Sequence, residues 1–217
     1  MTTKEKLLAL LEDSKGTFFS GEEIARTLQV SRAAVWKAVN ALREDGYTID
    51  AATNKGYRLS PDSDILSPQG IRRFLKPEYR DLDLTVLPTA PSTNALVREK
   101  ANQGRPEGCV IVACEQTDGR GRYGRQFFSP IDSGVYLSLL LRPTAYSPQQ
   151  ATCLTAAAAA AMCQAIEAVT GQQPGIKWVN DIFLHGKKVC GILTEAAVGL
   201  ETGALDYMVL GAGVNLY

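Results

Sequence analysis

Arginine and glycine alternate in one short loop of the sequence. Residues 119–125 contain three arginines and three glycines, and they follow the apolar run 110–113, which predicts a strand that ends in this loop. Glycine allows the backbone to approach a ligand closely, and the arginine guanidinium suits phosphate and carboxylate oxygens. The loop is therefore expected to wrap an anionic ligand that carries phosphate.

The same loop matches the dinucleotide-binding pattern G-x-G-x-x-G at Gly119, Gly121 and Gly124. In a Rossmann fold that pattern opens a helix, and the N-terminus of the helix receives the pyrophosphate. Here the chain continues into the apolar run 134–141, which predicts another strand. The pattern is consequently not interpreted as a dinucleotide site.

Further polar side chains stand at strand ends or within apolar runs of the second half of the chain. These are Lys177, Asp181, Lys188 and Asn215. One such residue is ordinary, and Lys188 alone could be a hairpin lysine in solvent. Four of them, together with the arginine loop, indicate a ligand-binding site.

The composition is that of an ordinary globular protein. Of 217 residues, 45% are hydrophobic and 21% are charged, and the 23 basic residues balance the 23 acidic ones. No overall positive field therefore requires a nucleic-acid partner. The five cysteines form no C-x-x-C pair, so reduced thiols are expected, and the single histidine, His185, argues against a histidine-dependent triad.

The sequence predicts neither a signal peptide nor a membrane span. The N-terminus lacks a long apolar core, and the small-residue run 156–163 is too short to cross a bilayer. We expect a cytoplasmic protein without a membrane partner.

The first sixty residues predict a winged helix-turn-helix. Ser20 and Ser31 are predicted N-caps of the second and third helices, and two alternating segments around residues 54–56 predict a hairpin wing. The predicted DNA contacts are Ser31, Arg32, Lys37, Asn40, Arg43 and Lys55. A small helical bundle with a solvated charged face is the alternative, because residues 1–60 carry nine basic and eight acidic side chains.

Turn-forming residues divide the chain into a DNA-binding domain at 1–60, a linker at 61–68 and a second domain at 69–217. In the second domain, Ser92, Thr93 and Asn94 predict the start of a helix that runs to about residue 102. One of the three is needed as the cap, which leaves the others free to contact a ligand.

Five blocks follow the predicted winged helix in an order that resembles the biotin protein ligases, specifically the bifunctional kind that also act as biotin operon repressors. The blocks are residues 92–94, 115–125, 177–181, 188–195 and 211–215, so the resemblance covers essentially the whole chain. It implies an α+β fold in which an N-terminal winged helix-turn-helix precedes a mixed-sheet ligase catalytic domain.

The resemblance also implies chemistry and partners. Biotin and ATP, with Mg²⁺, are expected to form biotinyl-5′-AMP, and the biotinyl group is expected to pass to a lysine of the biotin carboxyl carrier protein of acetyl-CoA carboxylase. Operator DNA and a homodimer formed on binding biotinyl-AMP are further expectations. Two alternatives stay open: a DNA-binding regulator that senses biotin or biotinyl-AMP without efficient ligase activity, and a relative that uses lipoate.

By this resemblance, the catalytic residues are expected to be Lys188, Arg122 and Asp181. Lys188 is assigned to the biotin carboxylate and the bridging phosphate, and Asp181 to the incoming lysine amine. Arg122 and Lys188 are also expected to bind ligand, together with Ser92, Thr93, Asn94, Gln116, Gly119, Arg120, Gly121, Arg125, Phe127, Lys177, Asn180, Gly211 and Asn215. No metal ligands are predicted in the protein itself.

The sequence departs from the family pattern in three places. Phe127 stands where tryptophan is usual, but its ring can still stack on a base, and Val179 stands where proline is usual. Family members usually continue beyond the position of Tyr217 with a small C-terminal β domain. A C-terminally truncated catalytic domain is therefore expected, with a 119–125 loop that is mobile when no ligand is bound.

Overall fold

The computed structural model describes residues 1–143, 146, 150–199 and 204–216, without the side chains of residues 151 and 152. The chain divides into two compact units, Met1–Asp81 and Leu82–Tyr217. The first unit contains α1 (Thr3–Asp13), α2 (Gly21–Leu28), α3 (Arg32–Glu44), β1 (Ile49–Ala52), β2 (Gly56–Leu59), α4 (Pro68–Arg72) and a 3₁₀ turn (Pro77–Tyr79).

Helices α2 and α3 begin at the predicted capping residues. Ser20 Oγ accepts a hydrogen bond from Glu23 N at 3.1 Å, and Ser31 Oγ accepts one from Ala34 N at 3.2 Å. Each cap satisfies one of the backbone donors that the first turn of a helix leaves unpaired. The apolar faces of α1, α2 and α3 then form one core around Leu7, which is fully buried.

The predicted wing is an antiparallel hairpin of β1 and β2, in which Ala52 pairs with Gly56. Gly56 has a φ of +95°, and a Cβ at this position would overlap the carbonyl oxygen of Phe19. The Phe19 N–H also donates to Tyr57 O at 2.9 Å, so the wing is joined to the chain just before α2. Three helices and a wing confirm the winged helix-turn-helix.

The first unit extends beyond the linker that was predicted at 61–68. Ser67 caps α4 by accepting from Gly70 N at 2.9 Å, and its hydroxyl lies 3.4 Å from the buried Glu12 Oε1 of α1. These contacts hold α4 against α1. The boundary between the compact units therefore lies between Asp81 and Leu82. Residues 69–81, which were assigned to the second domain from the sequence, belong to the first unit.

The second unit is a seven-stranded mixed sheet with helices on both faces. Its elements are β3 (Asp83–Leu87), α5 (Thr93–Asn102), β4 (Cys109–Ala113), a 3₁₀ turn (Arg122–Gly124), β5 (Gly134–Leu141), α6 (Ala151–Thr170), β6 (Gly175–Lys177), β7 (Asp181–Leu184), β8 (Lys187–Val198) and β9 (Leu205–Asn215). The strand order is β3-β4-β5-β9-β8-β7-β6, with β3 and β4 parallel and the other pairs antiparallel. The predicted α+β class with a mixed sheet is confirmed.

Alternation along the strands directs two apolar clusters to opposite faces of this sheet. On β9, Val209 packs with α5 residues, whereas Ala212 packs with α6 residues. The second cluster includes Cys190, and burial raises the pKa of its thiol to about 12. The loop 119–125 leads into β5 rather than into an α-helix, which confirms that its glycine pattern is not a Rossmann motif.

Helix α6 is longer than the run 156–163 from which the absence of a membrane span was predicted. Among the described residues, its stretch Cys153–Thr170, with a mean hydropathy of 1.4, is long and apolar enough to cross a membrane by length and composition alone. One face of the helix packs on β6, β7 and β8. Apolar composition thus also serves the packing of this helix on the sheet.

Two glycines of the first unit test the account of the wing. Gly46 and Gly56 have almost the same φ, but a Cβ at Gly46 would meet only Ile65 Cδ1, at 3.6 Å. We expect Gly46→Ala to cost about 1–2 kcal/mol through φ alone. Gly56→Ala should cost at least about twice as much, because the Phe19 backbone must also move. Hydrogen exchange of α1 and α3 amides measures both, and equal losses would contradict the account.

Candidate active site

Two rows of residues cross the face of the sheet that α5 covers. The first row consists of the cross-strand partners Leu193, Gly211 and Ser138. The second row consists of Gly191, Gly213 and Tyr136. Gly191, Gly211 and Gly213 have no Cβ, so backbone alone forms the sheet surface there. We call these three residues the glycine platform.

Phe127 lies on the platform. A Cβ at Gly213 would be 2.5 Å from Phe127 Cε1, and a Cβ at Gly191 would be 2.8 Å from Phe127 Cε2. The ring also meets Tyr136 edge to face, with 6.4 Å between ring centroids. An aromatic ring thus fills the space that the glycines leave. A planar ligand could occupy that space only after this ring moves.

A β-bulge turns Lys188 toward the same face. Ile182 pairs with Cys190 but Phe183 pairs with Lys188, so the intervening Val189 has no partner on β7. An extra residue reverses the side to which the following positions point. Without it, Lys188 would face α6 together with Cys190. Instead its Nζ lies 3.3 Å from the position of a Gly191 Cβ and 5.8 Å from the Phe127 ring centroid.

Lys188 forms an ion pair with Asp181, the residue opposite Gly191 on β7. Lys188 Nζ is 2.8 Å from Asp181 Oδ1, and the two side chains are 42% and 24% exposed. Lys177, also predicted to bind ligand, is the cross-strand partner of Asp181 and lies with its Nζ 5.6 Å from the Phe183 ring centroid. The structure therefore gathers both predicted lysines and Asp181 at one end of the second row.

The arginines of the loop are held at its edges. Arg120 donates to Asp118 Oδ2 at 2.8 Å, a hydrogen bond that raises the pKa of the guanidinium, and Arg122 donates to Asn180 Oδ1 at 3.0 Å. Arg125 is exposed. The loop itself is closed by backbone hydrogen bonds from Gly121 N to Arg125 O and from Phe127 N to Gly119 O, at 2.7 and 2.8 Å. Its predicted mobility stays a prediction.

The three residues at the start of α5 have different contacts. Ser92 is the cap, because its Oγ accepts from Ala95 N at 3.4 Å. Asn94 lies against Gly211, and its Nδ2 donates to Leu193 O at 3.3 Å and to Glu195 Oε2 at 2.8 Å. Ser92 and Asn94 thus have structural contacts in addition to any contact with a ligand.

Thr93 joins this helix to the predicted ligand loop. Its backbone N–H donates to Gln116 Oε1 at 2.8 Å, which fixes the orientation of the Gln116 amide. Gln116 Nε2 then donates to Ser129 Oγ at 3.2 Å, and Ser129 Oγ donates to Phe127 O at 3.0 Å. A continuous chain of hydrogen bonds therefore connects Thr93 with the segment that places Phe127 on the platform.

Two of the predicted ligand contacts, Asn180 and Asn215, have contrasting surroundings. The Asn180 amide donates to Asp181 Oδ1 at 3.1 Å and to Ile192 O at 3.2 Å, besides accepting from Arg122. Asn215 Oδ1, in contrast, is buried without a hydrogen-bond partner among the described residues. A buried acceptor without a donor is costly, so Asn215 is the better placed of the two to receive a ligand N–H.

Residues that the sequence interpretation missed lie in the strands themselves. Ser138 is fully buried, and its Oγ is 2.7 Å from Thr93 Oγ1 and 2.6 Å from Asn94 Oδ1. It is the one aliphatic hydroxyl in the apolar run 134–141, a signal that could have singled it out. Glu195, the last residue of the block 188–195, binds both Asn94 and Arg98.

The predicted DNA contacts of the first unit are mostly exposed on α3 and the wing. Arg32, Lys37 and Lys55 are exposed, and Ser31 serves as the α3 cap. The Arg43 guanidinium donates twice to Ile49 O, at 2.6 and 3.1 Å, and so ties α3 to β1.

One large side chain near these contacts was not among them. Trp36 is 57% exposed and lies one helical turn from both Arg32 and Asn40, on the same side of α3.

The chain combines a helix-turn-helix unit with an α+β unit, and sequence comparison assigns each part to a known class of domain. The profile of the biotin/lipoate A/B protein ligase family matches residues 86–215, and that of an HTH domain matches residues 3–58. Because the first match covers more than half of the chain, the chain belongs to the biotin/lipoate A/B protein ligase family.

Individual relatives agree with this assignment. The bifunctional ligase/repressor BirA of Bacillus spizizenii is 41% identical over 215 residues, which are 99% of this chain and 65% of that protein. The biotin–[acetyl-CoA-carboxylase] ligase of Mycobacterium tuberculosis is 32% identical over 166 residues, 71% of this chain and 59% of that protein. This chain thus spans about two thirds or less of the length of these relatives.

Among solved structures, the biotin protein ligase from Aquifex aeolicus in complex with biotin and ATP is 30% identical, with a TM-score of 0.49. The match covers 61% of this chain and 52% of that one.

The contact between Phe127 and the platform can be measured by a double-mutant cycle. Gly213→Ala should destabilise the second unit by about 1–3 kcal/mol, because its Cβ collides with the ring. In a Phe127→Ala background the same substitution should cost little. Gly175→Ala is the matched control, since a Cβ at Gly175 has no neighbour within 4 Å. Urea unfolding gives the free energies, and additive effects would show that ring and platform do not touch.

Proposed function

We propose that this chain is the DNA-binding and catalytic part of a biotin protein ligase that also represses transcription. It would form biotinyl-5′-AMP from biotin and ATP and pass biotin to a lysine of a biotin carboxyl carrier protein. Family membership and the names of the relatives support this proposal. The observation that carries it is the Lys188–Asp181 pair beside the glycine platform.

The first half-reaction needs a cation where Lys188 stands. When the biotin carboxylate oxygen attacks the α-phosphorus, two anions approach each other and pyrophosphate leaves with more negative charge. A lysine ammonium close to both groups offsets this repulsion and stabilises the charge that develops on the phosphoryl oxygens. Because both side chains are partly exposed, Lys188 can turn from Asp181 to the ligand without displacing buried side chains.

The second half-reaction makes use of Asp181. As Lys188 turns to the phosphate, the Asp181 carboxylate keeps the hydrogen bond from Asn180. It can then accept the proton that the carrier lysine loses as its nitrogen attacks the acyl carbon and AMP leaves. The ion pair would thus link the roles of the two residues. Asp181 becomes available to accept the proton only after Lys188 has turned to the phosphate.

Nucleotide contacts are proposed at the platform and at the end of β9. The Phe127 ring can stack on adenine, and the buried Asn215 Oδ1 can accept from an exocyclic amino group. Arg120, Arg122 and Arg125 would close over the phosphates after exchanging their present partners. Mg²⁺ would accompany ATP and reduce the negative charge of the triphosphate.

The first unit would bind operator DNA through α3 and the wing, and biotinyl-AMP would favour a homodimer. A symmetric dimer places two recognition helices on two half-sites of the DNA. Two weak monomer contacts then combine into tight binding. We further propose that the protein acts in the cytoplasm, where operator DNA and the carrier protein are both present.

The two neighbouring lysines of β8 test the role of Lys188. Lys188→Ala should slow pyrophosphate release from biotin and Mg·ATP by about 100-fold or more, the usual effect of removing one group that stabilises transition-state charge. Lys187→Ala, in which an exposed neighbour is lost, should stay within about twofold. Near-normal release by Lys188→Ala would refute its assignment. Failure of the unsubstituted chain to label a carrier protein would favour the regulator that only senses ligand.

Phosphate contacts of the first unit can be measured without knowing the operator. On a random-sequence duplex, Lys37→Ala should lower the slope of log affinity against log salt by about one unit, because one phosphate contact is lost. Lys6→Ala removes an exposed lysine of α1 and should leave the slope unchanged. Fluorescence anisotropy at several salt concentrations gives both slopes. Identical slopes for all three proteins would argue against α3 as the DNA-binding helix.

A further inference from the structure

The side of α3 that faces away from the core carries a tryptophan in solvent. The buried side of the helix consists of Val35, Ala38, Val39 and Leu42. Ala33, Trp36 and Asn40 recur at intervals of three and four residues on the other side, where Ala33 is exposed and Trp36 is 57% exposed. An indole ring has a large apolar surface, so a partner that covers it gains free energy by removing that surface from water.

Most arginines near this side of α3 are already engaged. The Arg43 guanidinium donates twice to Ile49 O, and Arg58 of the wing donates to Asp50 Oδ2 at 2.8 Å. Arginine is the side chain that most often reads guanine, through its O6 and N7 atoms. Among the described residues, Arg32 makes no such contact, and it lies in the first turn of α3. Beyond that turn, other side chains of α3 must read the base edges.

Trp36 and Asn40 are the two side chains suited to that readout. Thymine alone presents a methyl group in the major groove, and apolar side chains contact it. Adenine presents its N6 amino group and N7, which an asparagine amide binds with two hydrogen bonds. The Asn40 amide forms no hydrogen bond within the described part of the chain, so both of its groups are available. The pair therefore matches thymine and adenine rather than guanine and cytosine.

The spacing of the two side chains matches that of base pairs. Four residues of helix separate Trp36 from Asn40, which corresponds to about 6 Å along the axis. Stacked base pairs are about 3.4 Å apart, so the two side chains reach base pairs about two steps apart. Lys37 is exposed beside them and is long enough to reach a phosphate. Base contacts and a phosphate contact thus lie along one helix.

We propose that Trp36 is a specificity-determining residue that contacts thymine methyl groups in the major groove, close to an adenine that Asn40 reads. The α3 helix then selects A·T pairs at the positions that these two side chains reach. Lys37 and the wing add affinity that does not depend on sequence. The inference rests on the proposed DNA-binding function and names the bases that the first unit recognises.

The test begins with a random-sequence duplex library. The full chain, with saturating biotin and Mg·ATP, selects the duplex that it binds most tightly, and uracil then replaces each thymine of that duplex in turn. Uracil lacks the methyl group, so at a contacted thymine it should weaken binding by the unsubstituted chain about fourfold, the effect of one buried methyl. In Trp36→Ala the same uracil should change binding less than about 1.5-fold, because the contact is already lost. Fluorescence anisotropy gives each affinity.

A matched control separates this contact from a general effect of removing an exposed ring. Trp36→Ala should weaken binding to the selected duplex about tenfold and to a random-sequence duplex less than about twofold. The salt dependence should not change, because no charge is removed. Phe74 is 82% exposed in the same unit but lies outside α3 and the wing. Phe74→Ala should leave both affinities within about twofold.

Tryptophan fluorescence provides a second readout. The chain contains two tryptophans, so Trp178→Phe leaves Trp36 as the single one. When the selected duplex binds, the emission of Trp36 should shift to shorter wavelength, because the ring leaves water. This measurement needs no substitution at position 36.

Three results would overturn the proposal. These are a uracil effect that is equal in Trp36→Ala and the unsubstituted chain or absent at every thymine, a Trp36 emission that bound DNA does not change, or an equal loss of affinity for selected and random duplexes. Each of them would leave the proposed repressor function standing. An unsubstituted chain that enriches no sequence from the library would overturn that function, and with it this inference.

Discussion

The contacts of Asn94 hold the site together. This buried side chain lies at the first turn of α5 and binds β8 through Leu193 O and Glu195, β5 through Ser138, and the bare backbone of β9 at Gly211. A buried amide is stable only when its donors and acceptor are paired, so these contacts fix the helix at one place on the sheet. The position of Thr93, and through it that of Gln116, follows from this placement.

Glycine and one extra residue then shape the surface next to this anchor. Gly191 and Gly213 have no side chains at positions where the pleat would direct them toward the α5 face of the sheet. The Phe127 ring fills the space that results. The bulge at Val189 brings Lys188 to the same surface, where Asp181 pairs with it. A flat apolar surface, a cation and a carboxylate thus lie next to one another on this face of the sheet, an arrangement that would suit the proposed adenylate formation and acyl transfer.

Much of this arrangement could be predicted from the sequence. Ser20 and Ser31 identify helix starts because capping is local, and the runs 110–113 and 134–141 identify strands because their composition is apolar. The contact between Phe127 and the platform could not be predicted, since it joins strands that are far apart in the chain. The domain boundary also depends on tertiary contact, because α4 packs against α1 and the first unit ends at Asp81.

At the proposed site, a ligand would replace the Phe127 ring on the glycine platform. Nuclear Overhauser effects between the Phe127 ring protons and the Hα protons of Gly191 and Gly213 measure this contact directly. Without ligand, we expect clear effects at both glycines. With saturating biotin and Mg·ATP, these effects should disappear and ligand protons should show effects to the same Hα atoms. Unchanged Phe127 effects in the saturated protein would contradict the account.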